Sequence, residues 1–462
     1  MWRSISLLFV PVLLTAQMAP DIAGSERVFD AWMKAQMAYR QLPGVAVGVV
    51  SDQQLVWAQG YGYADIDAKT PITQSTKFRM ASHSKLFTST AIMQFREQGK
   101  VRLDDPVVKY LPWFKVQPAE AGDPPITIEE LLTHSSGLSR EAGSHWTDHK
   151  FPDAAEVRAY IESAPAIYSP QVRWKYSNLA LTIAGLVVEA VSGEPYAVYV
   201  LRHIFDPLEM KSSSVDKQVS GMAVGYGRRM PDGKRARLPF IDAKAMGPAT
   251  GITSTVEDMA RFVSLQFRTG SPILSTGALR EMHRVRMMEN DWTRGNAIGF
   301  AVNRTGDRLY IGHGGSYPGY KTQTTIQLDD KVGVIVLTNG DDANPGEIAQ
   351  HLMQIVGAAV GKASSKQKPE LPWDPSWKQF TGLYRSSGGD TAVVEVGQHL
   401  VSFDPTGATP ERQNRLMPVG GGQFKLEAPA GGGAVGEAVR FVPLPNGGMR
   451  MYTGGSYSER VP

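Results

Sequence analysis

Apolar and polar positions change rhythm several times along this chain. Residues 26–41 set Val28, Trp32, Met37 and Tyr39 among polar neighbours, which predicts a helix. Two strand-like runs follow, Val45–Val50 and Gln54–Gly60. The Ser51-Asp52-Gln53 turn between them predicts a hairpin. From about 82 to 265 the pattern is mostly helical. Thr127-Ile128-Glu129-Glu130 and Ser254-Thr255-Val256-Glu257 both carry capping-box spacing ahead of apolar residues. Strands return near residues 298–312, at Lys321–Leu328 and at Val332–Leu337, the last two joined through Asp329-Asp330-Lys331 as a second hairpin. Glu347–Val360 predicts a closing helix.

Strands at both ends with helices between them predict an α+β domain, an α/β sandwich. Its antiparallel sheet is built from both ends of the domain, around a helical insertion. Residues 24–362 are expected to form it, with a polar, proline-containing linker over 363–375. Within residues 376–462 the rhythm shortens. Ala392–Val396, His399–Phe403, Gln423–Leu426, Val439–Val442 and Met449–Tyr452 alternate with Gly, Pro and Asn turns, which predicts a small all-β, barrel-like domain.

Composition narrows the function classes. A chain of 462 residues with 42% hydrophobic and 20% charged residues is globular. The net charge of +3 arises without a long basic run, so neither nucleic acid nor an anionic surface is expected as a partner. Residues 1–19 read as a signal peptide, with Arg3 before the apolar run Ile5–Leu14 and small residues at Ala16 and Ala19. The expected location is therefore the periplasm or the medium, with no integral membrane span after cleavage. Zero cysteines exclude disulfides and thiolate metal sites.

Candidate chemistry begins at Ser82-His83-Ser84-Lys85. Ser82 and Lys85 stand three positions apart where a helical run starts, so the amine can reach the hydroxyl. A serine beside a proton-accepting lysine is an activated nucleophile. Ser214–Lys217 and Ser365–Lys368 share the S-x-x-K letters, but only the Ser82 copy sits between a strand-like segment and a helix start, where free N–H groups favour an oxyanion. Ser84 adjoins Lys85 but points elsewhere on the helix. Tyr176-Ser177-Asn178 forms a Y-x-N in front of an apolar helix; a phenol there can relay protons and an amide can hold a carbonyl. His313-Gly314-Gly315 follows a strand, where glycines let substrate lie close and a backbone N–H can complete an oxyanion hole. His145 and His149, with His134 nearby, have metal-ligand spacing but lack the glutamate of H-E-x-x-H and read as packing or surface residues. Gly431-x-Gly433-x-x-Gly436 spells a dinucleotide fingerprint without its βαβ setting. Tyr317, Tyr320 and Trp146 are candidates for pocket walls.

The order S-x-x-K, Y-x-N, H-x-G resembles the penicillin-recognising serine hydrolases of the class C β-lactamase type. FRMASHSKLFT, LDDPVVKYLP, LLTHSSGL, YSNLALTIAG, TSTVEDMARF and GHGG are similar to that family's landmarks, over residues 26–360. The C-terminal segment is similar to a lipocalin-like barrel. The resemblance implies Ser82 as the acylated nucleophile, Lys85 as its proton acceptor and Tyr176 as partner base or leaving-group acid. It implies that Asn178 orients the acyl group, that His313, Gly314 and Gly315 fill the third motif, and that the N–H groups of Ser82 and Ser316 form the oxyanion hole. The β-lactamase pattern has lysine where this chain has His313, so the fixed cation for a β-lactam carboxylate is missing. The expectation is an esterase or D-amino-acid peptidase, acting on a small-molecule or peptide ester or amide without metal or organic cofactor. A true β-lactamase and a non-catalytic wall-binding or scaffold protein are the alternatives.

Overall fold

The computed structural model describes residues 20–143, 145–289, 291–306, 308–364, 371–406, 413–427 and 435–462. The expected signal peptide and residues 431–434 of the glycine motif lie outside them. Two compact units part between residues 365 and 366.

The first unit opens with helix α1 (Pro20–Arg40) and the hairpin β1 (Gly44–Ser51) and β2 (Gln54–Asp65), extended by β3 (Thr70–Pro71). More than 200 residues later in sequence come β4 (Met287–Met288), β5 (Arg294–Asn296), β6 (Ala301–Thr305), β7 (Arg308–Tyr317), β8 (Tyr320–Gln327) and β9 (Val332–Thr338). Among the described residues they form one nine-stranded sheet, β3-β2-β1-β9-β8-β7-β6-β5-β4. The ends meet at β1, where Val45 lies opposite both Tyr61 and Thr338 in antiparallel register. The sheet is thus closed from both ends around the insertion.

Both faces of β1 are covered, which is why its sequence is almost continuously apolar. Val45, Val47 and Val49 pack with Phe29 and Met33 of α1 and with Ile348 and Leu352 of α5 (Pro345–Leu352). Ala46 and Val50 belong to the opposite layer, with Val256, Met259 and Phe262 of α4 (Val256–Leu265). That second layer also holds α2 (Ser84–Glu97) and the apolar α3 (Asn178–Ser192).

Local details correct several expectations. In α1 the buried stripe is Phe29 and Met33, whereas Val28 and Tyr39 are 60% and 86% exposed. Apolar residues on both sides of that helix blurred its face. The Thr127–Glu130 capping box forms, but the cap of α4 is Thr255, whose hydroxyl accepts from the Asp258 N–H at 3.1 Å. Ser254 instead pairs with Phe78 in a small sheet and binds the Ser213 hydroxyl at 2.8 Å. The strand expected to end near 312 runs on to Tyr317, so His313-Gly314-Gly315 lies within β7 and not after it.

Among the described residues the second unit is a closed eight-stranded barrel in simple up-and-down order, sealed where Tyr384 pairs with Arg460. The five expected runs are strands. Gly382–Ser386, Asn414–Gly420 and Ser456–Arg460 complete the barrel. Phe380, Tyr384, Leu400, Leu416, Phe424 and Phe441 fill its core. Among the described residues no single helix is long and apolar enough to cross a membrane.

Candidate active site

Ser82 sits on a 3-10 turn, Ala81–His83, that leads directly into α2. Ala81 adopts φ +50, a left-handed conformation that costs a non-glycine residue about 1–3 kcal/mol and persists only where neighbours over-determine it. Those neighbours are present. The Met80 N–H donates to the Ile252 carbonyl at 2.7 Å, and the Ile252 N–H donates to the Ser84 hydroxyl at 2.9 Å. Ser84 donates in turn to the Ala81 carbonyl at 2.7 Å, so it braces the turn and is not aimed at Lys85.

His83 locks the other side. It is fully buried, with Nδ1 3.0 Å from the Thr322 hydroxyl and Nε2 2.8 Å from that of Thr324, both on β8. Thr322 gives its proton to the Met80 carbonyl (3.2 Å), so it accepts from His83 Nδ1–H, and Nε2 accepts from Thr324. Burial pushes the His83 imidazole down to about 3, so it works as a neutral strut. Gly315 packs against the same turn. A Cβ there would lie 2.5 Å from the Met80 carbonyl oxygen and 2.4 Å from Thr322 Oγ1. The glycine is needed for strand β7 to lie on the nucleophile turn.

The hydroxyl of Ser82 has two partners. Lys85 Nζ is 3.0 Å from Ser82 Oγ, and the Tyr176 hydroxyl donates to it at 2.7 Å. Lys85 is 0% exposed. Its amine also donates to Asn178 Oδ1 at 2.7 Å and to the Ala249 carbonyl at 2.9 Å. A neutral amine keeps two N–H bonds and one lone pair. The two fixed acceptors take the N–H bonds, which leaves the lone pair for Ser82. Burial drives the amine well below its ordinary value, with Glu141 opposing and Arg140 adding to that effect. Burial drives the Tyr176 phenol the other way, up to about 12. The two groups therefore divide the work, a ready proton acceptor and a retained proton donor on one oxygen.

Two close approaches place them. Ser177 caps α3 by accepting from the Ala180 N–H at 2.9 Å, which sets Tyr176 just before the helix and Asn178 as its first residue. Gly185 of the same helix meets Pro248, where a Cβ would come within 2.1 Å, so the Ala249 carbonyl can reach Lys85. Asn178 is only 2% exposed, and its Nδ2 donates to Glu141 Oε1 at 2.6 Å. Both ends of its amide are thus occupied by protein groups.

These residues open onto a cleft of about 1400 Å³, with Trp146, Trp174, Tyr176 and Tyr317 among its walls. His313, Gly314, Gly315 and Ser316 line it beside Ser82. His313 is pushed down to about 4, chiefly by burial, and its ring Nδ1 lies 2.6 Å from the Gly314 carbonyl. It is neutral at ordinary pH. The Arg140 guanidinium is centred 5.0 Å over the Tyr176 ring, and the Lys85 amine lies 5.0 Å from the same ring centre.

Other sequence candidates settle into structural places. Tyr320 is buried, donating to the Ala223 carbonyl at 2.6 Å. His145 is tied to Glu141 Oε2 at 3.1 Å, His149 lies exposed at the cleft, and His134 packs at a tilt against Tyr176 with ring centroids 4.3 Å apart. Among the described residues no three His, Asp or Glu side chains gather as metal ligands. Glu141, Arg140 and His83 escaped sequence reasoning. Glu141 meets Asn178 across 37 positions, and no spacing rule signals such a contact.

Residues 29–358 match the family model for Beta-lactamase. Protein flp of Staphylococcus aureus (strain MW2) is 23% identical over 335 residues, 71% of this chain and 66% of flp. Esterase EstB of Burkholderia gladioli is 31% identical over 230 residues, 47% of this chain and 58% of the esterase. The chain thus spans just under two thirds of the one relative and less of the other. The octameric penicillin-binding protein homologue from Pyrococcus abyssi shares the fold, with TM-score 0.66 and 23% identity over 94% of this chain and 100% of that chain. By its matched residues, this chain belongs to the β-lactamase family.

Proposed function

We propose that this chain is a serine hydrolase that cleaves ester or amide bonds through an acyl-enzyme on Ser82. The observation that carries the reading is the single oxygen, Ser82 Oγ, held between Lys85 Nζ at 3.0 Å and the Tyr176 hydroxyl at 2.7 Å. Lys85 accepts the Ser82 proton as Oγ attacks the carbonyl carbon. The oxyanion rests on the N–H groups of Ser82 and Ser316. Tyr176 gives its proton to the departing alcohol or amine and is refilled from the Lys85 ammonium. Water then attacks the acyl ester, its proton passes to the same pair, and Ser82 is restored.

The substrate is an ester or a D-amino-acid peptide. Similarity to Esterase EstB supports the ester. The neutral His313, where the β-lactamase pattern has a fixed lysine cation, supports weak handling of a β-lactam carboxylate and so favours the ester or D-peptide over a β-lactam. Export to the periplasm or medium belongs to the same proposal, on the leader-like pattern of residues 1–19.

Hydrolysis of p-nitrophenyl butyrate by the protein and by Ser82→Ala tests the reading. Turnover that vanishes in the variant supports it, and equal turnover in both refutes it. Nitrocefin cleaved faster than the ester would shift the assignment to a true β-lactamase. No turnover of esters, D-peptides or nitrocefin would leave a non-catalytic scaffold.

A further inference from the structure

Asn178 faces Lys85 with an acceptor, although its amide has a donor end of nearly the same shape. Turned over, the NH2 group would oppose the Lys85 N–H bonds and release the amine from its present aim. Something must hold the orientation. On its far side the amide meets Glu141, a carboxylate that only accepts, at 2.6 Å from Nδ2. The Glu141 side chain is 12% exposed and is itself fixed, by His145 Nε2 at 3.1 Å and Arg140 Nε at 3.3 Å. Its loop is clamped to the start of α3, where the Arg140 carbonyl accepts from the Asn178 and Leu179 N–H groups at 2.8 and 3.2 Å. Ser177 adds a bond to the Ser139 carbonyl at 2.6 Å.

We propose that Glu141 is a positioning residue: its carboxylate fixes the Asn178 amide with the oxygen toward Lys85, and so keeps the amine's lone pair on Ser82. The inference rests on the acyl-enzyme reading above. Glu141 reaches the reacting atoms through Asn178 and Lys85 and touches no substrate in this scheme.

The charge has a second consequence. Groups facing Lys85 are Tyr176, Glu141 and Arg140 from loops, His83 on its own turn, His134, and His313 on β7. Burial keeps the three imidazoles neutral, since His83 and His313 are driven to about 3 and about 4 and His134 well below its usual value. Glu141 is the one of these groups that raises the proton affinity of Lys85. Removing the carboxylate charge lowers that affinity further, so the acid limb of activity moves to lower pH.

The test is the pH dependence of kcat and kcat/KM on p-nitrophenyl butyrate for Glu141→Gln and Glu141→Ala, with thermal melting alongside. Glu141→Gln keeps an accepting oxygen but loses the charge. It is expected to hold plateau kcat within a few-fold while its acid limb moves down. Glu141→Ala loses both. It is expected to show the same shift with kcat lower by about 10- to 100-fold and KM within about twofold. Folded variants with the wild-type profile and wild-type kcat would overturn the proposal. If Glu141→Ala fails to fold, the limb shift of Glu141→Gln decides alone. Failure of the acyl-enzyme reading shows separately, as full turnover in Ser82→Ala, and the proposal falls with it.

Discussion

Two interiors of this chain follow opposite rules. Beneath Ser82 the buried groups are polar: His83 and Lys85 at 0% exposure, Asn178 at 2%. Inside the barrel the packed cluster is aromatic and aliphatic, beside the small buried Ser402 and Ser458, with Phe380 stacked on Phe441 at 4.5 Å between centroids and Phe424 edge-on to both. Even the barrel's buried Tyr384 simply donates to the Phe380 carbonyl, at 2.8 Å. Burying a polar group costs stability unless it is fully bonded. An apolar interior is therefore the default for holding a fold together, and the barrel follows it. The interior under Ser82 departs from that default, with His83, Lys85 and Asn178 each bonded and with burial driving the Lys85 amine toward the neutral form that can accept a proton. The contrast separates residues kept for folding from residues kept for chemistry.

The largest effect that would break the contrast lies at Lys85. Lys85→Ala is expected to lower turnover of p-nitrophenyl butyrate by about 10²- to 10⁴-fold, the range for losing a positioned base. In the unaltered protein the sign follows from the neutral amine being the working form. Activity falls as pH drops and Lys85 takes up a proton, and burial places that limb well below the ordinary lysine value. The Tyr176 phenol, at about 12, costs no activity on the alkaline side up to about pH 10. A pH–rate profile with its acid limb at the ordinary lysine value would contradict the geometry.

The mirror experiment is Phe424→Ala in the barrel. It removes a ring that packs on Trp377, Phe380 and Phe441, and it is expected to cost about 3–5 kcal/mol of barrel stability while kcat stays at its wild-type value. Denaturation followed by tryptophan fluorescence, with turnover measured on the same sample, checks both halves. A loss of kcat in the folded variant would erase the distinction between the two interiors.

Gly315→Ala sharpens the boundary between folding and chemistry. Its Cβ would collide with the Met80 carbonyl, Thr322 and Ala81. Overpacking of this kind costs about 1–3 kcal/mol. Because the strain falls on the turn that carries Ser82, kcat is expected to fall more than KM changes. Stability loss with unchanged kcat would show that the turn tolerates displacement.

How much of this was legible follows from the range of each signal. Both hairpins could be read, because alternation and turn residues act over a few positions. Ser82, Lys85, Tyr176 and Asn178 could be marked because short spacings identify them, and the fold brings the four together. The α1 face was misread because Val28 and Tyr39 carry apolar side chains into solvent. The end of β7 was missed because His313-Gly314-Gly315 lacks the β-branched residues of a strand; its glycine serves a contact with the nucleophile turn that sequence does not display. Asn414–Gly420 was missed because Pro418 and flanking polar residues hide a barrel strand. Glu141 was beyond reach, since its meaning depends on a contact made only when α3 docks on a distant loop. Asn178 is expected from the family pattern to orient the acyl group; in the structure it lines the cleft, with its amide bonded to Lys85 and Glu141.

The most direct test of the central claim is to trap the intermediate. The protein is mixed with p-nitrophenyl butyrate, quenched in acid, digested with trypsin and read by mass spectrometry. Cleavage after Arg79 and Lys85 yields the peptide Met80–Lys85, which contains both Ser82 and Ser84. A butyryl group on Ser82, absent from Ser82→Ala, is the predicted result. Turnover with the label on Ser84 or on another peptide would contradict the account.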